Sequence, residues 1–368
     1  MDFRSDNVCG AHPAIVEALT VASHGSTSSY GADPWTERLQ ARFSALFERE
    51  VAVFPVLTGT AANALALALC TTPWGAVYCH HEAHVHVDEC GAPEQMTGGA
   101  KLVPLTGDHG KLTPDIVRAA IHGVGVVHEV QPAALSLSQS TEAGTVYTVH
   151  ELQALGEVAK RHRLAVHMDG ARFANAVVAL GVSPAALTWQ AGIDVLCFGA
   201  TKNGCLAAEA IVLFDPSRAA ELAFRRKRAG HLLSKQRFIS AQLEAYLAGD
   251  LWLRNARHAN ERAQELAQLF RAADVPLLAP VQANELFVTL DEARAASLRA
   301  AGFAFLDWPA FGARARRFVT SFETRPQDLH ALANALATHG RDEIDAAHLS
   351  TSRTQCCDTL RAGSRSTS

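Results

Sequence analysis

Three short apolar runs limit what this chain can fold into: "VAVFPV" at 51–56, "LAVHMD" at 164–169 and "DVLCFGA" at 194–200. Each is followed by glycine or another small residue and then by a helix-like segment. Runs that are apolar throughout suit strands buried on both faces of a sheet. The segment "TAANALALALC" (60–70) is rich in alanine and leucine, which favours a helix. "TVHELQALGEVAKRHR" (148–163) has a threonine ahead of a glutamate-containing first turn and apolar positions at helical spacing. Its basic end complements a helix C-terminus. Strands alternating with helices predict an α/β fold around a mostly parallel central sheet.

"AIVLF" (210–214) adds a further strand. From Leu251 the pattern changes to a long alanine-rich helix followed by "ELFVTL", "FAFLDW" and "RRFVTSF", which suits a smaller α+β domain. The expected organisation is a large domain over 1–250 with an N-terminal arm at 1–15, and a small domain over 251–340. A tail at 341–368, rich in Ser, Thr, Arg and Asp, is expected to be disordered. With 368 residues, 48% of them hydrophobic, the chain can bury a substantial core. A formal net charge of -4 gives no reason to expect nucleic acid as a partner. The most apolar window, Val51 to Cys70, is broken by proline, glycine, threonine and asparagine, so no membrane span is expected. The N-terminus lacks the basic start and apolar run of a secretory signal. Eight scattered cysteines form no CxxC pair, which points to reduced thiols in a cytoplasmic protein.

The chemistry begins at "FGATKNG", where Lys202 follows a buried strand among small residues. Two readings fit: a surface lysine in a turn, or a partly desolvated amine able to bond an aldehyde. In "HMDGARF", Asp169 stands at the C-terminal end of another strand, where open α/β sheets bind ligands. It suits a helix cap, or a carboxylate facing the ring nitrogen of pyridoxal 5'-phosphate. Arg172 fits either a salt bridge or a contact with the cofactor oxygen and a substrate carboxylate. In "LTGTAAN", Gly59 and Thr60 open a helix whose free N–H groups suit a phosphate, with Thr201 as a further hydroxyl, although an ordinary capped turn explains the motif as well. The histidines of "HHEAHVHVDEC" first raise the idea of metal, but no third ligand is evident, and none is expected. The other reading is an imidazole, His84, stacked on the cofactor ring and able to move a proton.

These motifs together resemble the low-specificity L-threonine aldolases, enzymes that use pyridoxal phosphate on an aspartate-aminotransferase-like fold. The similarity also covers "SDN", "YGADPWTERL", "AHVHVDECGAPE", "QSTEAGTVY", "RRKRAG" and "ARRFVTSFET", in order, from about residue 4 to 335. It implies retro-aldol cleavage of L-threonine, L-allo-threonine or related β-hydroxy-α-amino acids to glycine and an aldehyde. The alternatives on the same fold are a β-eliminating lyase or an aminotransferase. By the resemblance Lys202 would hold the cofactor, Asp169 its ring nitrogen, and Gly59 and Thr60 its phosphate. His84 would stack on the ring, and Arg172 would lie near the cofactor oxygen and the substrate carboxylate. Arg317 would clamp that carboxylate with help from Ser5. Tyr30 and Lys227 would reach the active site of a neighbouring subunit in a homo-oligomer, dimer or tetramer. Arg228, His231, Cys9 and His12 depart from the expected pattern.

Overall fold

The computed structural model describes residues 1–337. The tail expected at 341–368 lies outside the described residues. Seven strands form one sheet: β1 (Ala52–Val56), β2 (Gly75–His80), β3 (Lys101–Leu105), β4 (Gln131–Ser138), β5 (Ala165–Gly170), β6 (Val195–Gly199) and β7 (Glu209–Leu213). Their spatial order is β1-β7-β6-β5-β4-β2-β3. β3, β2, β4, β5 and β6 pair in parallel, while β7 runs antiparallel to both β6 and β1. The reversal follows from chain length. Only residues 200–208 separate β6 from β7, and a parallel crossover needs a dozen or more. Being antiparallel to β7, β1 points the same way as β5 and β6.

That arrangement gathers five strand ends on one edge. Ser138 stands opposite Asp169, and Asp169 opposite Cys197. Gly199 stands opposite Glu209, and Glu209 in turn opposite Val56. The helices that return the chain are set by their caps. Gly59–Cys70 begins after Thr58, whose hydroxyl accepts the Ala61 N–H. Val149–His162 has a full capping box, with Thr148 Oγ1 accepting the Glu151 N–H and Glu151 accepting the Thr148 N–H. It buries Leu152, Leu155, Val158 and Ala159 against the sheet core.

A second, antiparallel sheet has the order β8-β10-β9, with β8 at Glu285–Thr289, β9 at Leu306–Asp307 and β10 at Ala315–Val319. One 22-residue helix, Leu251–Ala272, serves both cores. Its Leu251, Trp252 and Ala256 pack into the main core, and its Ala263, Leu266 and Phe270 into the core of the small sheet. The N-terminal residues run along that small sheet. Phe3 donates its N–H to Ala304 O at 2.7 Å and accepts the Val319 N–H at 2.8 Å. This contact carries Asp6 to the edge where the strand ends meet. Among the described residues no helix is long and apolar enough to cross a membrane.

Two glycines on this edge have opposite steric surroundings. A Cβ on Gly199 would lie 2.4 Å from the carbonyl oxygen of Ala171, a backbone atom with no room to yield. A Cβ on Gly59 would meet no atom within 4 Å. Gly199→Ala is therefore expected to lose about 1–3 kcal/mol of stability by overpacking, whereas Gly59→Ala leaves the urea midpoint unchanged or raises it. Equal midpoints for the two variants would contradict this packing.

Candidate active site

The strand ends enclose a cavity of about 320 Å3 lined, among others, by Lys202, Asp169, His84, Gly59, Thr60 and Glu142. Lys202 sits in the 3-10 turn Thr201–Asn203, directly after β6. That turn is fixed from behind. Asn203 donates its side-chain N–H groups to Tyr246 Oη at 2.6 Å and Trp252 O at 2.8 Å, and its carbonyl accepts from Asn255 at 2.9 Å. Gly204 has a φ of +120°, and a Cβ there would lie 2.8 Å from Asn255 Nδ2. The small residues around Lys202 thus have packing work of their own, beyond making room for a ligand. On the other side, Glu209 Oε2 accepts the Ala200 N–H at 3.0 Å.

Asp169 and His84 are joined through two residues between them. His84 Nδ1 lies 2.8 Å from Glu89 Oε1. Asn63 donates to the same Glu89 oxygen and to Asp169 Oδ2, both at 2.8 Å. The other Asp169 oxygen accepts the Ala171 N–H at 2.9 Å. Burial opposes ionisation of Asp169, but His84, the Ala171 N–H, His167 and Lys202 outweigh it and hold the carboxyl below its usual range. The Glu89 hydrogen bond raises the His84 imidazole above its ordinary value, against the pull of burial. Glu89 itself is raised, chiefly by burial. His84, Glu89 and Asp169 also bring ligand atoms within 4.8 Å of one another, the one arrangement among the described residues that resembles a metal donor set. The bonds just described already use His84 Nδ1, Glu89 Oε1 and Asp169 Oδ2. His84 and His86 lie two apart in the helical turn His84–Val87, so they do not share a face.

Glu142 closes the cavity beneath His84. Its carboxylate accepts the His84 backbone N–H at 2.9 Å and the Ser138 hydroxyl at 2.6 Å, and burial pushes it up to about 7. Burial does the same to Glu209, also to about 7. Arg172 is held by acids: its Nε and Nη2 donate to Asp6 at 2.8 and 3.0 Å, and its Nη1 lies 2.8 Å from Glu285 Oε2. Those two carboxylates keep the guanidinium charged although burial works against it. The salt-bridge reading of Arg172 therefore describes most of its donors. The helix beginning at Gly59 offers its first N–H groups, which no carbonyl within the helix can accept, toward the same cavity.

Of the residues singled out in the sequence, Lys202, His84, Asp169, Arg172, Gly59, Thr60 and Thr201 line the cavity. The Thr201 hydroxyl also bonds the Ala208 backbone. Ser5, Arg317, Tyr30 and Lys227 do not line it. Ser5 caps the turn Asp6–Val8, accepting the Asn7 N–H, and its neighbour Asn7 reaches the cavity instead. Arg317 lies on β10 behind Arg172, with Nη1 3.5 Å from Glu285 and Nη2 donating to Arg4 O at 2.9 Å. Its Nε is buried with no partner among the described residues. Tyr30 and Lys227 stack on each other, 4.6 Å from ammonium to ring centroid, on the outer surface. Sequence reasoning passed over Asn63, Glu89, Glu142 and Glu209. The first three lie inside the segments "LTGTAAN", "DECGAPE" and "QSTEAGTVY", and Glu209 is an acid beside the apolar run "AIVLF".

The His84–Glu89 pair predicts a pH effect of definite sign. A histidine raised above 6.5 in the folded protein stabilises it fully below that value, and the gain is lost as pH rises through the folded value. His84, followed by NMR, is expected to titrate above 6.5 in the wild type and to fall back in Glu89→Gln. An unchanged midpoint would contradict the pairing.

Residues 2–293 match the model of the beta-eliminating lyase family. The low specificity L-threonine aldolase of Pseudomonas aeruginosa is 44% identical over 334 residues, which cover 90% of this chain and 95% of that protein. The enzyme of the same name from Pseudomonas sp. (strain NCIMB 10558) is 42% identical over the same shares. The threonine aldolase structure from Leishmania major superposes with a TM-score of 0.86 at 27% identity, covering 92% of this chain and 98% of that one. Aspartate aminotransferase from Thermus thermophilus, 17% identical with a TM-score of 0.66, shares the fold. A family model that spans the large sheet and relatives that span nearly the whole chain agree with the motifs: this chain belongs to the beta-eliminating lyase family, among its low-specificity L-threonine aldolases.

Proposed function

We propose that this protein cleaves L-threonine, L-allo-threonine and related L-β-hydroxy-α-amino acids to glycine and an aldehyde, using pyridoxal 5'-phosphate. The observation that carries the reading is the convergence of Lys202, Asp169, the Gly59 helix start and His84 on one cavity. The donor set fits the cofactor. An amine, a carboxylate held ionised and a helix N-terminus match its aldehyde, ring nitrogen and phosphate, and the side of Gly59 where a Cβ would stand is open. When bound, the cofactor supplies an electron sink for the pair released as the Cα–Cβ bond breaks.

The chain's own residues do the rest. Lys202 anchors the aldehyde carbon, and Asp169 holds a proton at the ring nitrogen, itself kept in place by Asn63 and the Ala171 N–H. Gly59, Thr60 and Thr201 seat the phosphate. His84 would lie over the ring, and with Nδ1 committed to Glu89 it offers Nε2 to the β-hydroxyl proton. Glu89 stabilises the imidazolium that results, as a carboxylate does behind any histidine base. Arg172, which lines the cavity and is held by Asp6 and Glu285, lies near the cofactor oxygen and the substrate carboxylate, and Arg317, set outside the lining, turns inward to clamp that carboxylate. Ser5 assists through the turn that carries Asn7. Tyr30 and Lys227 complete the cavity of a neighbouring subunit in a homodimer or homotetramer. A cytoplasmic setting accords with the free cysteines among the described residues.

Incubation of the holoenzyme with L-threonine is expected to yield acetaldehyde and glycine in equal amounts. Formation of 2-oxobutanoate in place of glycine would favour β-elimination and contradict the proposal. Lys202→Ala should fall to background, and His84→Phe, which keeps the stacking surface but not the base, should lose roughly 10²–10⁴ in kcat. Full turnover by either variant would remove its residue from the mechanism.

A further inference from the structure

Glu285 is 1% exposed at the start of β8 and touches both Arg172, which lines the cavity, and Arg317, which does not. Its Oε2 lies 2.8 Å from Arg172 Nη1 and its Oε1 lies 3.5 Å from Arg317 Nη1. Arg172 is further spent on Asp6, which takes two of its nitrogens. Two cations and two carboxylates therefore balance before any ligand arrives. Arg317 is the less committed cation. Beyond Glu285 it donates to Arg4 O, lies 4.4 Å over the Trp308 ring and leaves Nε unpartnered.

We infer that Glu285 is a specificity-determining residue, a built-in carboxylate that competes with the ligand's α-carboxylate for Arg317. The inference rests on the reading of Arg317 as the carboxylate clamp. A buried guanidinium without a partner is costly, so Glu285 stabilises the ligand-free site. An incoming carboxylate then gains only the difference between its own bond to Arg317 and the one Glu285 already makes. Two carboxylates sharing one arginine also repel each other, the more so because Glu285 is buried. Affinity for amino acids is thereby held down, the product glycine included, which favours its release. An amine with no carboxylate does not engage Arg317 and is indifferent to Glu285. Glu285 thus sets how much a ligand gains from carrying a carboxylate.

The test uses holoenzyme and two probes, glycine and ethanolamine, with dissociation constants read from the absorbance of the bound cofactor. Glu285→Gln is expected to bind glycine roughly tenfold tighter, because one competing negative charge is removed from beside Arg317, with the ethanolamine constant unchanged. Glu285→Ala, which removes the carboxylate without adding an amide, should shift glycine in the same direction. It keeps the test readable if the glutamine variant misfolds. Glycine binding that is unchanged or weaker in both variants overturns the inference, as does an equal change for ethanolamine, which would mark a general effect on the site. Arg317→Ala separates the two claims. If it leaves the glycine constant untouched, the clamp reading itself fails. If it weakens glycine while the Glu285 variants gain nothing, only the role of Glu285 is lost.

Discussion

The close approach of β5 and β6 at their C-terminal ends is the constraint on which the cavity depends. Gly199 lies against the Ala171 backbone, and Gly170 stands where a Cβ would come within 2.7 Å of Cys197 O. Side chains at either position would force the strands apart, and with them Asp169 on one strand and Lys202 just beyond the other. The short β6–β7 connection adds the second condition. It turns β7 back so that Glu209 starts beside Gly199, and it lets β1 deliver the Gly59 helix to the same edge. A mostly parallel sheet with one reversed strand thus builds a site whose parts are far apart in the chain.

Charge on this edge is held in balance by burial. Asp6, Glu89, Glu142, Asp169, Glu209 and Glu285 face Lys202, Arg172, Arg317 and His84. Were all six acids ionised, the edge would repel a phosphate and an amino acid carboxylate. Glu142 and Glu209, pushed up to about 7, each carry a proton part of the time near neutrality, whereas Asp169 does not. Asp6 and Asp169, the two held below their usual range, have Arg172 and Asn284 against the first and His84 and the Ala171 N–H against the second. Asn63 matters here because one neutral amide satisfies two carboxylates without adding charge.

Much of this was legible in the sequence, and the rest was hidden for physical reasons. The runs at 51–56, 164–169 and 194–200 are strands because they are apolar on both faces. β4, "QPAALSLS", is equally central but holds no β-branched or aromatic residue and contains a proline, so its composition gives little strand signal. β3, "KLVPL", is short and partly exposed, and the histidines after β2 draw attention away from "GAVYCH". At the site, Lys202, Asp169 and His84 were readable because their motifs, taken together and in order, match one pattern, and all three line the cavity. The residues that hold them were not. Asn63 joins Glu89 and Asp169, both distant from it in the chain, and the meeting of Glu285 with Arg172 joins residues more than a hundred apart. No local pattern encodes such a pairing.

All the chemistry proposed for the cavity depends on Lys202, in the turn after β6, being the covalent anchor of the cofactor. Borohydride reduction of the yellow holoenzyme, followed by proteolysis and mass spectrometry, tests it most directly. Bleaching and a single pyridoxyl-modified peptide with the label on Lys202 are expected. Label on Lys227 or any other lysine, or retention of the colour after reduction, would contradict it.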